Sequence, residues 1–183
     1  MTREEAFNLL KNKVQNQNMV KHSLAVEACL RDLAEYFKED PEEWGMAGLL
    51  HDYDYLEMLD YPEKHGLVAA EELEKLGLDK KITQAIRAHN EKNGTPRTTK
   101  LDKAIHSVDP LTGLIVASTL VLPSKKISDL TVDSILNRME EKRFAAGANR
   151  EIIKKCTEVG LALDRFIEIC LKAMQRISNG LGL

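Results

Sequence analysis

Asp40-Pro41-Glu42-Glu43-Trp44-Gly45-Met46-Ala47-Gly48-Leu49-Leu50-His51-Asp52-Tyr53 is the stretch on which the reading of this chain turns. It opens as a helix start: an Asp to cap free N–H groups, a Pro in the first turn, and two acids at the positive end of the helix dipole. It closes with an apolar run that ends in two adjacent ligand-type side chains, His51 and Asp52. Neighbours on a helix project about 100° apart, so both reach one ion most easily at the helix end. Imidazole beside carboxylate suits a divalent transition metal, and an apolar wall strengthens the electrostatics. His51-Asp52 alone is a weak signal; the ordered set His22, His51-Asp52, His65, His89, Asp109 is a strong one.

Working outward, the apolar spacing predicts further helices and no strands. Thr2 and Glu5 form a capping-box pattern. A long helix from about Met19 to Phe37 carries the stripe Val26, Cys29, Leu30, Leu33, Phe37, which His22 extends by a turn. Pro62 is read as opening the next helix, with His65 in its first turn and Gly77 as its stop. Asp79 caps a helix whose inner series is Ile82, Ala85, Ile86, His89, followed by a loop from Asn90 to Thr98 that forms a rim. Thr99 caps the helix bringing in Asp109, and Pro110 predicts a kink or break there. Leu111 to Leu122, Val132 to Lys142, Arg150 to Val159 (capped by Asn149) and Asp164 to Ile177 complete the set, with Ser178 to Leu183 a fraying tail. The fold class is all-α, one domain over residues 1–183, with the metal-site core at about 18–117 and helices over 123–178 for packing or shaping the substrate site.

At 183 residues the chain is long enough for one substantial core. Its net charge of −3 gives no global pull toward nucleic acid or anionic membrane. Cys29, Cys156 and Cys170 lie in apolar helical surroundings, which fits reduced thiols. No signal-peptide core follows Met1, and Leu114 to Leu122 is too short to cross a bilayer, so the expected location is cytoplasmic.

The order and local context of these residues resemble the HD-domain superfamily of metal-dependent phosphohydrolases. The resemblance rests on His22-Ser23-Leu24-x-Val26-Glu27, Ala47-Gly48-Leu49-Leu50-His51-Asp52, His65-Gly66-x-x-x-Ala70, Ala85-Ile86-x-x-His89 and Val108-Asp109-x-x-x-Gly113-Leu114-Ile115. It implies an HD-type helical bundle in which His22, His51, Asp52 and Asp109 hold a first metal. Asp52 would bridge to a second ion on His65 and His89, so that Asp52, His65 and His89 sit at the reaction centre and a bridging hydroxide attacks phosphorus. One or two ions are implied, iron or manganese first, with zinc, nickel and cobalt open. The implied substrate is a small-molecule phosphate ester, a nucleotide or related metabolite, with no nucleic acid polymer and no membrane as partner.

Two rivals use the same scaffold: a di-iron oxygenase, and a non-catalytic module that senses a nucleotide. Tyr55 stands where the common His-Asp-x-x-Lys form has lysine, which puts one charge-balancing role in doubt. The alternative reading of His65 and His89 is as substrate contacts, and of His22 or His89 taken alone as an ordinary hydrogen-bonded core residue. Asp54 reads as a solvated loop acid, or as an acceptor orienting His51. His106, three residues before Asp109, reads as an ordinary polar helix residue or as sharing that face. Lys125, Lys126, Lys142, Arg143 and Arg150 are the candidate phosphate contacts. Phe166, Ile169, Cys170 and Met174 form either core or a homodimer face.

Overall fold

Seven of the ten α-helices start where a neighbouring side chain satisfies the first free N–H groups. The computed structural model describes residues 1–183 and contains ten α-helices, three 3-10 turns and no strand. Thr2 and Glu5 close a reciprocal capping box at α1 (Arg3–Lys13), and Asn16 caps α2 (Gln17–Phe37). Asp40 caps α3 (Pro41–Leu50), with Pro41 in its first turn. After α4 (Leu67–Lys75), Asp79 caps α5 (Lys80–His89), and Thr99 with Asp102 forms a second capping box at α6 (Lys100–Leu120). Thr131 caps α7 (Val132–Glu140) and Asn149 caps α8 (Arg150–Lys154), while α9 (Leu163–Arg176) and the short α10 (Ser178–Leu181) close the chain. The architecture is an all-α, single-domain helical bundle. No helix is long and apolar enough to cross a membrane.

The two long helices, α2 and α6, form the middle of the bundle. Val26, Cys29, Leu30 and Leu33 of α2 are fully buried, as are Ile105, Val108, Leu111, Leu114 and Ile115 of α6. Helix α9 lays Phe166, Cys170 and Met174 into the same core, where the Cys29 thiol donates to the Cys170 carbonyl at 3.5 Å. That face is core in this chain. The three thiols are buried and unpaired.

Close contact between α2 and α3 depends on glycine. A Cβ on Gly48 would lie 2.9 Å from both the Cα and the N of Glu27, which belong to the α2 backbone. The Glu27 carboxylate, itself buried, accepts from Arg3 at 2.6 and 2.8 Å and from Arg31 at 3.0 Å, and Arg31 reaches on to Glu42 at 2.6 Å. One buried acid thus joins α1, α2 and the start of α3. The result brings His22 of α2 against His51 at the end of α3, ring centroids 5.1 Å apart.

Three boundaries differ from the sequence reading. Helix α4 begins at Leu67, not at Pro62, so His65 lies in the turn region before it. Gly66 takes a left-handed φ of 82°, and the distant Asp54 carboxylate accepts from Gly66 N and Ala69 N in place of a local cap. Helix α6 continues through Pro110 rather than breaking there. Burial of residues on both sides of Pro110 outweighs the one backbone hydrogen bond that proline removes. The tail does not fray: Ser178 to Leu181 form a turn of helix and Leu181 is buried.

Gly48→Ala should lower stability by about 1–3 kcal/mol, because the new methyl meets backbone that cannot swing away. Gly113→Ala, whose Cβ would meet nothing within 4 Å in mid-α6, should instead raise stability by about 0.5–1 kcal/mol. Thermal denaturation of the two variants checks the opposite signs.

Candidate metal centre

Six side chains from four helices and one turn converge at the top of α3. His22 comes from α2, His51 and Asp52 from the end of α3, His65 from the turn before α4, His89 from the last residue of α5 and Asp109 from mid-α6. Asp52 lies at the centre with its two oxygens facing different partners. Its Oδ2 is 3.4 Å from His51 Nε2 and 3.6 Å from His22 Nε2; its Oδ1 is 3.1 Å from His65 Nε2 and 3.7 Å from His89 Nε2. Asp109 Oδ1 closes the first group, 3.0 Å from His22 Nε2 and 3.9 Å from His51 Nε2. His22, His51 and Asp109 form one set of atoms close enough to hold a metal ion, and His51, Asp52 and His89 form another.

The other nitrogen of each ring explains why Nε2 faces inward. His51 Nδ1 donates to the Gly48 carbonyl at 2.8 Å and His89 Nδ1 to the Ile86 carbonyl at 2.6 Å. His22 Nδ1 donates to Thr112 Oγ1 at 3.1 Å, whose own hydroxyl donates to the Asp109 carbonyl. His65 Nδ1 donates to Asp54 Oδ1 at 2.7 Å. With every Nδ1 engaged outside the cluster, whatever the cluster binds meets four Nε2 atoms and two carboxylates.

That donor set fits a divalent cation. His51 Nε2 is buried with no hydrogen-bond partner, an expensive arrangement unless something binds it. His65 and His89 place their Nε2 atoms 2.9 Å apart, and two nitrogens meet at that range only with a proton or a cation between them. The charges tell the same story. Burial opposes charge on Asp52, but the His51, His65, His22 and His89 rings outweigh it and hold the carboxyl far below its usual range. Burial opposes charge on His65 too, yet Asp52 and Asp54 raise its pKa to about 9. His89, buried and crowded by His51 and His65, falls to about 4. A cation supplies the positive charge these carboxylates attract, and the ring protons leave as it binds.

Asp54 corrects the sequence reading. It is fully buried rather than a solvated loop acid, and it orients His65, not His51. One carboxylate fixes the His65 ring, caps α4 and shapes the turn at Gly66. The only sequence signal was its place two residues after Asp52. The His65 carbonyl is held from the other side by Asn90 Nδ2 at 3.0 Å and Asn93 Nδ2 at 3.1 Å.

The cluster opens into a cavity of about 700 Å³, within the usual range for small-molecule sites. Tyr55, Met58, Leu59 and Pro62 supply an apolar wall, with the Tyr55 ring edge-on to His65. Asn90, Glu91 and Lys92 of the expected rim line it, and from the carboxyl-terminal half so do Gly147, Asn149 and Ile152. Lys125, Lys126, Lys142 and Arg143 are exposed and do not line it. Arg150 is engaged elsewhere, donating to the carbonyls of Ala145, Ala148 and Phe144 and so clasping the loop before α8. Lys92, which the sequence reading passed over, is the only Lys or Arg among the lining residues. His106 is also buried against this cavity, with Nδ1 donating to the His89 carbonyl at 2.8 Å, and burial lowers its pKa.

A family model described as HD domain matches residues 19–117, more than half of the chain and all six converging residues. The chain belongs to the HD-domain family, within the superfamily of metal-dependent phosphohydrolases. Among curated proteins it is similar to Ribonuclease Y of Lawsonia intracellularis, with 27% identity over 168 residues that cover 90% of this chain and 32% of that protein. It is also similar to Ribonuclease Y of Nitratidesulfovibrio vulgaris strain DP4, with 28% identity over 171 residues, 91% of this chain and 32% of that protein. The chain thus spans about a third of the length of the curated relatives it matches. No solved structure matches it.

Chelation followed by reloading with iron or manganese should lower and then restore the melting temperature, since the ion binds the folded chain alone. Asp54→Asn, which removes the carboxylate that orients the His65 ring, should weaken metal binding at any site that uses His65 by about 10- to 100-fold. Elemental analysis at graded metal concentrations checks this: an unchanged titration would show that Asp54 does not support a ligand.

Proposed function

We propose that this chain is a metal-dependent phosphohydrolase acting on a small phosphate ester, a nucleotide or a related metabolite. The single observation that carries the proposal is Asp52, whose two oxygens each face a different pair of histidines. In this reading His22, His51, Asp52 and Asp109 hold one ion, and Asp52 with His65 and His89 holds a second. Divalent ions there polarise a water molecule and the phosphoryl oxygens, the chemistry that makes hydrolysis fast at neutral pH.

The chain's own groups position the reactants. The Nδ1 hydrogen bonds of His22, His51, His65 and His89 fix each ring, so the cluster does not reorganise as charge develops. Lys92 at the rim supplies positive charge for phosphate oxygens that the cluster does not reach. Tyr55, Met58 and Leu59 exclude water from one side and pack against the organic part of the ester.

A second substrate reading is a ribonucleotide phosphodiester. The similarity to two proteins named Ribonuclease Y supports it, because it extends over nine-tenths of the chain, beyond the matched family segment.

Asp52→Ala should lose bound metal and abolish release of phosphate while the helical circular dichroism persists. Lys92→Ala should raise KM about tenfold with metal content unchanged, as for loss of a hydrogen bond to a charged group. A panel of nucleoside monophosphates, p-nitrophenyl phosphate and short RNA, assayed with iron- and manganese-loaded protein, tests both substrate readings. Normal turnover by Asp52→Ala would sink the assignment.

A further inference from the structure

His106 lies one turn before Asp109 on α6, beside the metal cluster but outside it. It is 2% exposed, and its Nε2 is buried without a hydrogen-bond partner. Its Nδ1 donates to the His89 carbonyl at 2.8 Å. A carbonyl only accepts, so the ring proton is on Nδ1, and in a buried neutral ring Nε2 presents a lone pair. An apolar residue would fill this position without leaving a polar atom unpaired, which is costly in a buried site.

The group facing that lone pair is another acceptor. Glu91 Oε2 lies 3.9 Å from His106 Nε2 and is itself paired with Lys155 Nζ at 3.8 Å, and both His106 and Glu91 line the cavity. Two ligand atoms fall short of the usual metal set of four or more. A phosphate oxygen, itself an acceptor, does not satisfy the Nε2 lone pair. What satisfies the buried Nε2 lone pair is a hydrogen-bond donor, an amino group or a hydroxyl. Asn149, across the same cavity, has its Oδ1 engaged as the α8 cap at 3.0 and 3.2 Å, which leaves its amide N–H groups for the same guest.

We propose that His106 is a specificity-determining residue, whose Nε2 accepts a hydrogen bond from a ribose hydroxyl or base amino group of a nucleotide held at the metal cluster. The proposal rests on the phosphoester reading of that cluster. It orients the substrate: phosphate at Asp52 and Asp109, and the donor-bearing organic part at His106 and Glu91. The apolar wall of Tyr55, Met58 and Leu59 offers a surface for the base.

His106→Asn isolates the effect, because the asparagine amide can still donate to the His89 carbonyl while the acceptor at Nε2 is lost. Dissociation constants would be measured by calorimetry on the metal-loaded chain for three probes. They are AMP, its dideoxy analogue lacking both ribose hydroxyls, and purine riboside monophosphate, which lacks the exocyclic amine. The native chain should bind AMP about three- to tenfold more tightly than one of the analogues, the value of one hydrogen bond in a buried site. In His106→Asn that ratio should fall to about one. General damage to the site would weaken all three probes alike and leave the ratio intact, as would a purely structural role. A ratio that survives in the variant, a native chain that does not discriminate, or no binding of any probe overturns the proposal. If the native chain discriminates but releases no phosphate from AMP or p-nitrophenyl phosphate, the subsite stands and the phosphohydrolase reading fails.

Discussion

Four histidines share one arrangement: each Nδ1 is fixed to an oxygen outside the cluster, so each Nε2 is turned toward Asp52 and Asp109. Everything distinctive about the site follows from it. Without those outer bonds the rings would have free choice of face and tautomer, and the carboxylates would have no fixed partners. With them, an electron-rich centre is held in place by backbone carbonyls, a threonine and a buried acid. Assembly of such a centre costs stability unless positive charge arrives, so the bundle must supply the difference through its core.

The bundle meets that demand with close helix contact. Glycine at position 48 lets α3 lie on the α2 backbone, which sets the distance between His22 and His51. Helix α6 holds Asp109 by running unbroken through Pro110 with buried residues on either side. Helix α9 then covers α2 from behind with Phe166, Cys170 and Met174. The chain after Leu122 therefore supports the site mostly from a distance, and touches the cavity only through Gly147, Asn149 and Ile152.

Much of this was legible in the residues. Caps at Thr2, Asp40, Asp79, Thr99 and Asn149 mark helix starts because their chemistry is local. The six converging residues were legible as an ordered set. What was hidden is non-local. The role of Asp54 depends on chain that returns eleven residues later, and nothing in the neighbourhood of Pro62 reveals that a distant carboxylate starts α4 at Leu67 instead. A break at Pro110 follows from local cost alone, and the packing that offsets it is not local. The basic residues after Leu122 raise the converse difficulty: charge is visible in a sequence, but direction is not. Arg150 turns to its own loop, whereas Lys92 sits on the rim.

His65 lies outside the helices, in the turn region before α4, and is the only one of the four histidines whose Nδ1 is fixed by a carboxylate. Its position depends on Asp54 and on two asparagine amides that hold its carbonyl. The segment from Tyr53 to Gly66 is therefore a separable part of the centre, supplying one of its six residues. Sequence drift in that segment alone, at Asp54 above all, would turn a six-residue centre into a five-residue one while every helix of the bundle kept its place. A scaffold built this way would let descendants change the number of donor groups at the centre without having to re-evolve the fold.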